Sequence, residues 1–180
     1  MIVTIGGYPG SGKGTVGRLV ASKLGYEYYS MGDIWGETAK KHGMTLNEFH
    51  EHLRKNPAFD RELEAFQESL GKQDALVIDS RLGYYCIPHA LKVFLTVDWH
   101  VGAQRIVNTH RPDEHYHDVA EAEKQLRARA ENERIQYRAV YHTDHYELSN
   151  YDLVIDTTHK SPQEIADMII ARVTRDTSEA

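Results

Sequence analysis

The 180-residue sequence has a single cysteine, Cys86, so no disulfide can form within the chain. Because unpaired cysteines are typical of proteins from reducing compartments, we expect a cytoplasmic protein. Long hydrophobic runs are also missing. No stretch approaches the roughly 20 apolar residues that a membrane helix requires, so we expect no membrane association. The first apolar run, Ile2 to Ile5, leads directly into a glycine-rich loop, and we therefore expect no cleavable signal peptide.

An excess of positive charge is absent as well. The sequence has 21 basic and 27 acidic residues, for a formal net charge of −6. Since binding to nucleic acid polymers depends on clustered positive charge, we expect no such partner. With 41% apolar and 27% charged residues, the composition is that of an ordinary globular protein. The length fits a single domain over residues 1–180.

Five short runs of β-branched, aromatic or other apolar residues predict strands. They are Ile2–Ile5, Glu27–Ser30, Leu76–Asp79, Val93–Val97 and Leu153–Asp156. Segments of helical periodicity separate them. This alternation predicts βαβ units, an α/β fold, and a mostly parallel sheet covered by helices on both faces.

Glycine and proline mark the boundaries of several predicted helices. The first helix spans 14–24 and ends at Gly25. The interval 33–72 predicts two or three helices, broken at Gly43 and at Asn56-Pro57, with Phe66 and Leu70 on the apolar face of the last one. Further helices are predicted over 99–109 and 118–145. A final helix starts at Ser161-Pro162 and is followed by a frayed tail over 175–180; its predicted apolar face consists of Ile165, Met168, Ile169 and Val173.

The most informative stretch is the glycine-rich segment GGYPGSGKGT, residues 6–15, between the first strand and the first helix. Its glycines allow positive φ, so that successive backbone N–H groups point at one anion. The helix N-terminus adds partial positive charge, and Lys13 places an ammonium against the β- and γ-phosphates. The alternative is a βα turn that binds nothing. The predicted phosphate-binding residues are Gly7, Gly10, Ser11, Gly12, Lys13, Gly14 and Thr15.

One position departs from the general pattern Gly-x4-Gly-Lys-Ser/Thr. Gly14 stands where a hydroxyl normally contacts Mg²⁺, and Thr15 follows one residue later. The form Gly-x-Pro-Gly-Ser-Gly-Lys-Gly-Thr resembles that of the nucleoside monophosphate kinases, the adenylate and cytidylate kinases. The resemblance implies a P-loop kinase fold with a five-stranded parallel sheet in the order 2-3-1-4-5. It also implies ATP and Mg²⁺ as cofactors, with the metal held mainly by phosphate oxygens and water, and with Thr15 reaching a phosphate.

Over residues 1 to 174 the order of motifs resembles the archaeal-type cytidylate kinases. The similar segments are YSMGDI (29–34), GMTLNEF (43–49), NPAFDRE (56–62) and YDLVIDT (151–157). The resemblance implies ATP-dependent phosphorylation of a nucleoside monophosphate, CMP or dCMP first. It also implies an acceptor-binding helical insert at about 31–72, a small lid at about 109–118, and a loop Thr157 to Lys160 near the adenine of ATP.

Two charged residues lie at the end of the third predicted strand and just after it. Asp79 ends this strand, at the sheet edge where open α/β sheets bind ligands, and the resemblance makes it the Walker B acid that orders Mg²⁺ or its waters. The alternative is an acid that merely ends a strand. Arg81 resembles the arginine that holds the acceptor phosphate, because a guanidinium suits two-point phosphate contacts. The alternative for Arg81 is a surface pair with Asp79.

The long helix predicted over 118–145 carries several arginines. Arg127, Arg134 and Arg138 are spaced by seven and four and so share one face. Kinases of this type close lid arginines over the transferring phosphoryl group, which makes these three residues, with Arg111 of the lid, candidate catalytic residues beside Lys13. The alternative is ordinary surface pairs, Glu123–Arg127 and Glu131–Arg134.

The resemblance has one important departure. The family usually has an arginine just after the Gly-Asp-Ile-like segment that grips the acceptor phosphate, but this sequence reads Asp33-Ile34-Trp35-Gly36-Glu37. Lys40 or Lys41 is a possible substitute. Asp33 is a candidate substrate-binding residue and would be the base if the acceptor were a hydroxyl. A kinase for a hydroxyl-bearing metabolite and a non-catalytic nucleotide-binding regulatory domain therefore stay open, as does a monomer or weak dimer.

The sequence contains other chemically reactive residues. Among its eleven histidines, His142 and His145 could share a helical face, but no third metal ligand is fixed by spacing, so we interpret the histidines as solvated side chains. Cys86 has no neighbouring base in the sequence, and we assign it no catalytic role.

Overall fold

The structure, a computed structural model, describes residues 1–45, 48–49, 65–109 and 116–178. Five strands form one parallel sheet in the order β2-β3-β1-β4-β5. This confirms the predicted P-loop kinase topology. The strands are β1 (Ile2–Gly7), β2 (Glu27–Ser30), β3 (Leu76–Asp79), β4 (Leu91–Thr96) and β5 (Leu153–Asp156).

Helices connect the strands. A 3-10 turn, Leu148–Asn150, precedes β5, and residues 65–70 are helical. The predicted break at Asn56-Pro57 lies outside the described residues. The labelled helices are α1 (Lys13–Leu24), α2 (Met31–Lys41), α3 (Gly83–Cys86), α4 (Trp99–Asn108), α5 (Val119–Tyr141) and α6 (Pro162–Ser178).

Alternating side chains of the strands send two apolar layers to opposite faces of the sheet. Helices α1 and α6 cover one face, where Val16 and Ile169 pack with Ile5 and other strand residues. On the other face Leu70 and Met31 pack with Ile78. Because the central strands β1, β3 and β4 are buried on both faces, their sequences are largely apolar without clean alternation. The carboxyl ends of β1 and β3 therefore open at one edge of the sheet.

Helix α5 packs on α4, where Leu126 and Ala122 contact Ala103 and Ile106. It ends at Tyr141, four residues before the predicted end, because His142 adopts the left-handed conformation with φ 55°. The sequence offered no signal for this end, since glycine is the residue expected in that conformation.

Three other expectations about the helices were wrong. Phe66 is 40% exposed, because segment 65–70 turns Gln67 and Leu70 inward instead. Met168 is 41% exposed, since the buried face of α6 runs through Ile165 and Ile169. Residues 175–178 are helical rather than frayed. There the hydroxyls of Thr177 and Ser178 donate to carbonyls of the preceding turn.

None of the helices within the described ranges is long and apolar enough to cross a membrane.

Candidate active site

The loop between β1 and α1 has the conformation that its glycines predict. Gly7, Gly10 and Gly12 have φ of 151°, 77° and 85°. Lys13 begins α1 and its Nζ donates to the carbonyl oxygens of Gly7 (3.0 Å) and Tyr8 (3.2 Å), so the ammonium lies across the mouth of the loop. Thr15 is exposed in the first turn of α1. The loop therefore presents backbone donors, a helix N-terminus and a cation together.

One buried oxygen inside this loop has no protein partner. Ser11 is fully buried, and its Oγ makes no hydrogen bond with any of the described residues. A buried hydroxyl normally has a partner, because desolvating it otherwise costs about 1–3 kcal/mol. The orphaned hydroxyl fits a loop that is completed by a phosphate.

The phosphate loop lies directly against α4. A side chain at Gly10 would place its Cβ 2.3 Å from the carbonyl oxygen of Gly102, so only glycine fits here. Arg105, one turn further along α4, has its Nη1 3.4 Å from the Gly10 carbonyl oxygen. The same guanidinium donates to the carbonyl oxygens of Thr157 (2.7 Å) and Thr158 (3.2 Å). Arg105 thus ties the phosphate loop to the segment after β5.

Asp79 lies at the carboxyl end of β3, in register with Ile5 of β1. A Cβ on Gly14 would lie 3.7 Å from its Oδ2, which places the carboxylate over the start of α1. Burial raises the pKa of Asp79, while Lys13 and Arg81 act in the opposite direction. A buried carboxylate beside a phosphate loop fits a divalent cation, because the cation stabilises its charged form. Asp79 and Thr15 are thus suitable oxygen donors for Mg²⁺ or its waters.

Asp33 lies in the first turn of α2, where the Ser30 hydroxyl caps the helix. Its Oδ2 accepts from Arg18 Nη2 at 2.9 Å, and both side chains are exposed. The Arg18 guanidinium lies 4.8 Å from the ring centroid of Tyr28, whose hydroxyl is 3.5 Å from Asp79 Oδ2. Arg18 and Tyr28 therefore connect Asp33 to Asp79, and the sequence did not predict either of them.

Arg81 forms a two-point ion pair with Glu133 of α5 rather than a surface pair with Asp79. Its Nε and Nη2 donate to the two carboxylate oxygens at 2.8 and 3.0 Å. Arg129 also donates to Glu133, at 3.0 Å. Burial raises the pKa of Glu133, but Arg81 and Arg129 outweigh it and hold the pKa at about 2. The cluster is therefore a fixed carboxylate between two guanidiniums.

A groove of about 390 Å³ separates the phosphate loop from α5. Arg127 and Arg134 of α5 line it, opposite Tyr8 of the loop and beside Trp99 and Tyr146. The Arg127 guanidinium lies 5.1 Å from the Trp99 ring and pairs with Glu123 at 2.9 Å, as the alternative interpretation predicted. Two of the predicted lid arginines thus face the phosphate loop.

Arg134 and Arg138 share one acceptor, although the sequence suggested Glu131 for Arg134. Both donate to Asp144 Oδ2 at 2.7 Å. Asp144 also accepts from the Tyr146 N–H at 3.0 Å, so it fixes the chain that follows α5. Arg111, the fourth arginine candidate, lies outside the described residues.

His145 is buried, which corrects the interpretation of the histidines as solvated side chains. It is 3% exposed, and neither ring nitrogen has a hydrogen-bond partner within the described ranges. Its ring centroid lies 3.9 Å from that of Tyr146 and 4.7 Å from that of Tyr137. Burial lowers the pKa of His145 to about 4. The ring is therefore neutral at pH 7.

Comparison with known proteins identifies the family. A model of the "Cytidylate kinase-like family" matches residues 57–159, and one of an "AAA domain" matches residues 6–86. A cytidylate kinase of Methanobrevibacter smithii is 32% identical over 171 residues, which is 94% of this chain and 96% of that protein. The chain belongs to the cytidylate kinase-like family.

Two proteins with other activities in their names are also similar to this chain. An S-adenosylmethionine-dependent nucleotide dehydratase of Lacinutrix mariniflava is 35% identical over 170 residues, 93% of this chain. The chain spans only 35% of the length of that relative. A solved shikimate kinase of Bacteroides thetaiotaomicron superposes with a TM-score of 0.69 at 15% identity, covering 97% of this chain and 98% of that one. At this low identity, the superposition with the shikimate kinase shows a shared fold only.

Several cationic residues that the sequence singled out have acidic partners in the structure, and of these partners the sequence predicted only Glu123, for Arg127. Lys13, Arg81, Arg127 and Arg134 were all candidates. Glu133, which pairs with Arg81 and Arg129, and Asp144, which pairs with Arg134 and Arg138, were not singled out. The only signal was their acidic character near arginines, which is common on exposed helices. Arg105 also carried no signal, since its partners are backbone carbonyls and one threonine hydroxyl.

Proposed function

We propose that this protein is an ATP-dependent nucleoside monophosphate kinase that transfers the γ-phosphoryl group of ATP to CMP or dCMP. One observation carries the proposal. A glycine-rich phosphate loop with Lys13 shares a sheet edge with Asp79, in a chain that aligns with a cytidylate kinase over 94% of its length. Arg81 follows Asp79 by two residues and supplies a second phosphate site.

Each residue has a distinct part in the proposed transfer. The amides of residues 10–15 and Lys13 hold the β- and γ-phosphates. Arg105 holds in place the second loop, Thr157 to Lys160, which lies near the adenine. Mg²⁺, when bound, would offset the negative charge that develops on the phosphates. Asp79 would hold the metal or its waters, with Thr15 contributing through water. No general base is required, because the acceptor phosphate is already ionised.

Arginines neutralise the transferring group in this proposal. Arg134 is the foremost of them, because it lines the groove opposite Tyr8. Arg127 lines the same groove, and Arg138 shares Asp144 with Arg134. Arg111 acts from the lid at about 109–118. Closure of these cations over the phosphates would exclude water that otherwise hydrolyses ATP.

The region 31–72 supplies the acceptor site in this proposal. Its described part contacts the turn that bears Arg81, since the Ser80 hydroxyl donates to Gln67 Oε1 at 2.8 Å. Asp33 lies at the entrance to this region beside Arg18. Lys40 and Lys41 are exposed in the last turn of α2 and stand in for the missing arginine.

Purified protein with Mg-ATP and a panel of acceptors tests the proposal. We expect formation of CDP or dCDP, and we expect Lys13→Ala to lower kcat/KM about a hundredfold or more, since it removes a preorganised cation from the phosphates. Lys23→Ala is the matched control, because Lys23 lies on the same helix but pairs with Asp167 at 2.7 Å. Phosphorylation of a hydroxyl compound but of no nucleotide, or ATP binding without any turnover, would contradict the proposal.

A further inference from the structure

The ion pair between Arg81 and Glu133 uses only one edge of the guanidinium. Arg81 donates through Nε and Nη2 to the two oxygens of one carboxylate. An arginine has five N–H donors in one plane, so three remain, two on Nη1 and one on Nη2. None of the three has a hydrogen-bond partner among the described residues. The Nη1–Nη2 edge is thus available for a second two-point contact.

The surroundings favour an anion at this free edge. Arg81 follows Asp79 by two residues, and the Asp79 carboxylate lies over the start of α1, where Lys13 begins the helix. Arg81 and Glu133 are 26% and 16% exposed, which weakens solvent screening of their charges. Two guanidiniums, those of Arg81 and Arg129, contact the single carboxylate of Glu133. A phosphate oxygen pair matches both the charge and the planar geometry of the edge.

Glu133 could either compete with the acceptor phosphate or orient Arg81 toward it. Competition would require Glu133 to leave two guanidiniums, and removing one partner of a buried pair is costly. If Glu133 instead orients Arg81, the carboxylate does not have to move, because the phosphate binds the opposite edge of the guanidinium. Arg129 supports orientation further, since its bond to Glu133 Oε1 fixes the carboxylate from a second side.

We propose that Glu133 is a positioning residue, which holds the guanidinium of Arg81 so that its Nη1–Nη2 edge binds the phosphate of the acceptor nucleotide. This inference rests on the proposed function and adds to it a residue of α5, 52 positions away from Arg81 in the sequence. Glu133 touches no substrate in this arrangement and acts through Arg81.

Steady-state kinetics of Glu133→Gln test the proposal. The amide keeps the shape but places an N–H group against one guanidinium donor. We expect the KM for CMP to rise about tenfold, which corresponds to a typical interaction free energy between contacting residues. The KM for ATP should stay within about twofold of the wild-type value. Asp176→Asn is the matched control, because Asp176 pairs with Arg172 on α6 at a similar exposure of 25%. A structural role alone would lower stability without separating the two KM values.

A double-mutant cycle separates positioning from direct binding. In an Arg81→Ala background, we expect Glu133→Gln to change the KM for CMP by less than about twofold, because Glu133 has lost the residue through which it acts. Additive effects, an unchanged KM, or a lower KM in the single variant would each overturn the proposal. The last result would instead show that Glu133 competes with the phosphate. A wild-type protein without kinase activity would overturn the proposed function itself. This result is obtained from the wild type alone and does not depend on the variants.

A measurement on the wild type covers the case in which Glu133→Gln does not fold. The Nε–H group of Arg81 gives a nitrogen-15 NMR signal, which Arg81→Lys identifies by its loss. Titration with CMP should leave this signal protected from exchange, because the pair with Glu133 persists. Loss of protection when CMP binds would show that the pair breaks and would overturn the proposal.

Discussion

His145 is a neutral imidazole held among aromatic rings, and its burial makes the stability of the fold depend on pH. Its pKa is about 4 in the folded protein, against about 6.5 in an unfolded chain. Between these values the unfolded chain binds a proton that the folded protein does not bind. Stability is therefore complete above about pH 6.5 and falls as the pH decreases toward 4.

We expect the free energy of unfolding to decrease by about 2 kcal/mol from pH 7.5 to pH 5, because His145 stays neutral in the folded protein. Urea unfolding at the two pH values measures this loss. His145→Phe should remove it, since phenylalanine has no titrating group and keeps a ring against Tyr137 and Tyr146. His159→Asn, a change at an exposed histidine, should retain it. An equal loss in wild type and His145→Phe would contradict this account.

Residues whose role depends on local backbone geometry could be predicted from the sequence. The positive φ of Gly10 and Gly12 follows from a glycine-rich turn between a strand and a helix. The burial of His145 and the partner of Arg81 could not be predicted. They depend on α5 folding back onto the edge of the sheet, which brings together residues more than fifty positions apart.

At the scale of elements, Arg105 links α4, the phosphate loop and the segment after β5. Its planar fork contacts two carbonyl oxygens beyond β5 and one in the loop. Arg105→Lys replaces this fork with a single point of charge. We expect the KM for ATP to rise about tenfold, because the segment after β5 loses its fixed distance from the phosphate loop, while the KM for CMP changes little.

The matched control for this change is Arg172→Lys on α6. Arg172 also anchors β5 by donating to a carbonyl oxygen, that of Asp152, at 3.0 Å, but it does so at the opposite end of the strand from the site. Nucleotide KM values should be unaffected in this variant. Equal rises in the KM for ATP in both variants would indicate general loosening of β5 rather than a link through Arg105.

The existence and order of the elements were more predictable than their ends and exposed faces. The predicted runs located all five strands, and the central strands β1, β3 and β4 gave the clearest signal because strands buried on both faces have little polar content. The end of α5 at Tyr141 depends on the left-handed backbone of His142, and the inward position of Gln67 depends on a tertiary contact. Gln67 is buried because it accepts from Ser80, a contact that an apolar pattern does not reveal.

At the scale of the whole molecule, the phosphate loop lies between β1 and α1 and packs against α4. Gly17 of α1 packs against Tyr28 of β2 so closely that an added Cβ would lie 2.7 Å from the tyrosine ring. Gly10 of the loop packs still more closely on α4, where an added Cβ would lie 2.3 Å from the carbonyl oxygen of Gly102. Helices on both sides of the loop therefore contact it, and a ligand in the loop strengthens a point at which several elements meet.

We expect a non-hydrolysable ATP analogue at about a hundred times its Kd to stabilise the protein by about 2.7 kcal/mol, because it binds only the folded state. For a chain of this length, the corresponding rise in Tm is about 5–10 °C. Thermal unfolding with and without the analogue measures it. Lys13→Ala should abolish the rise at the same concentration, and Lys23→Ala should preserve it. An undiminished rise in Lys13→Ala would place the triphosphate elsewhere, because an anion held by this loop depends on the ammonium beside it.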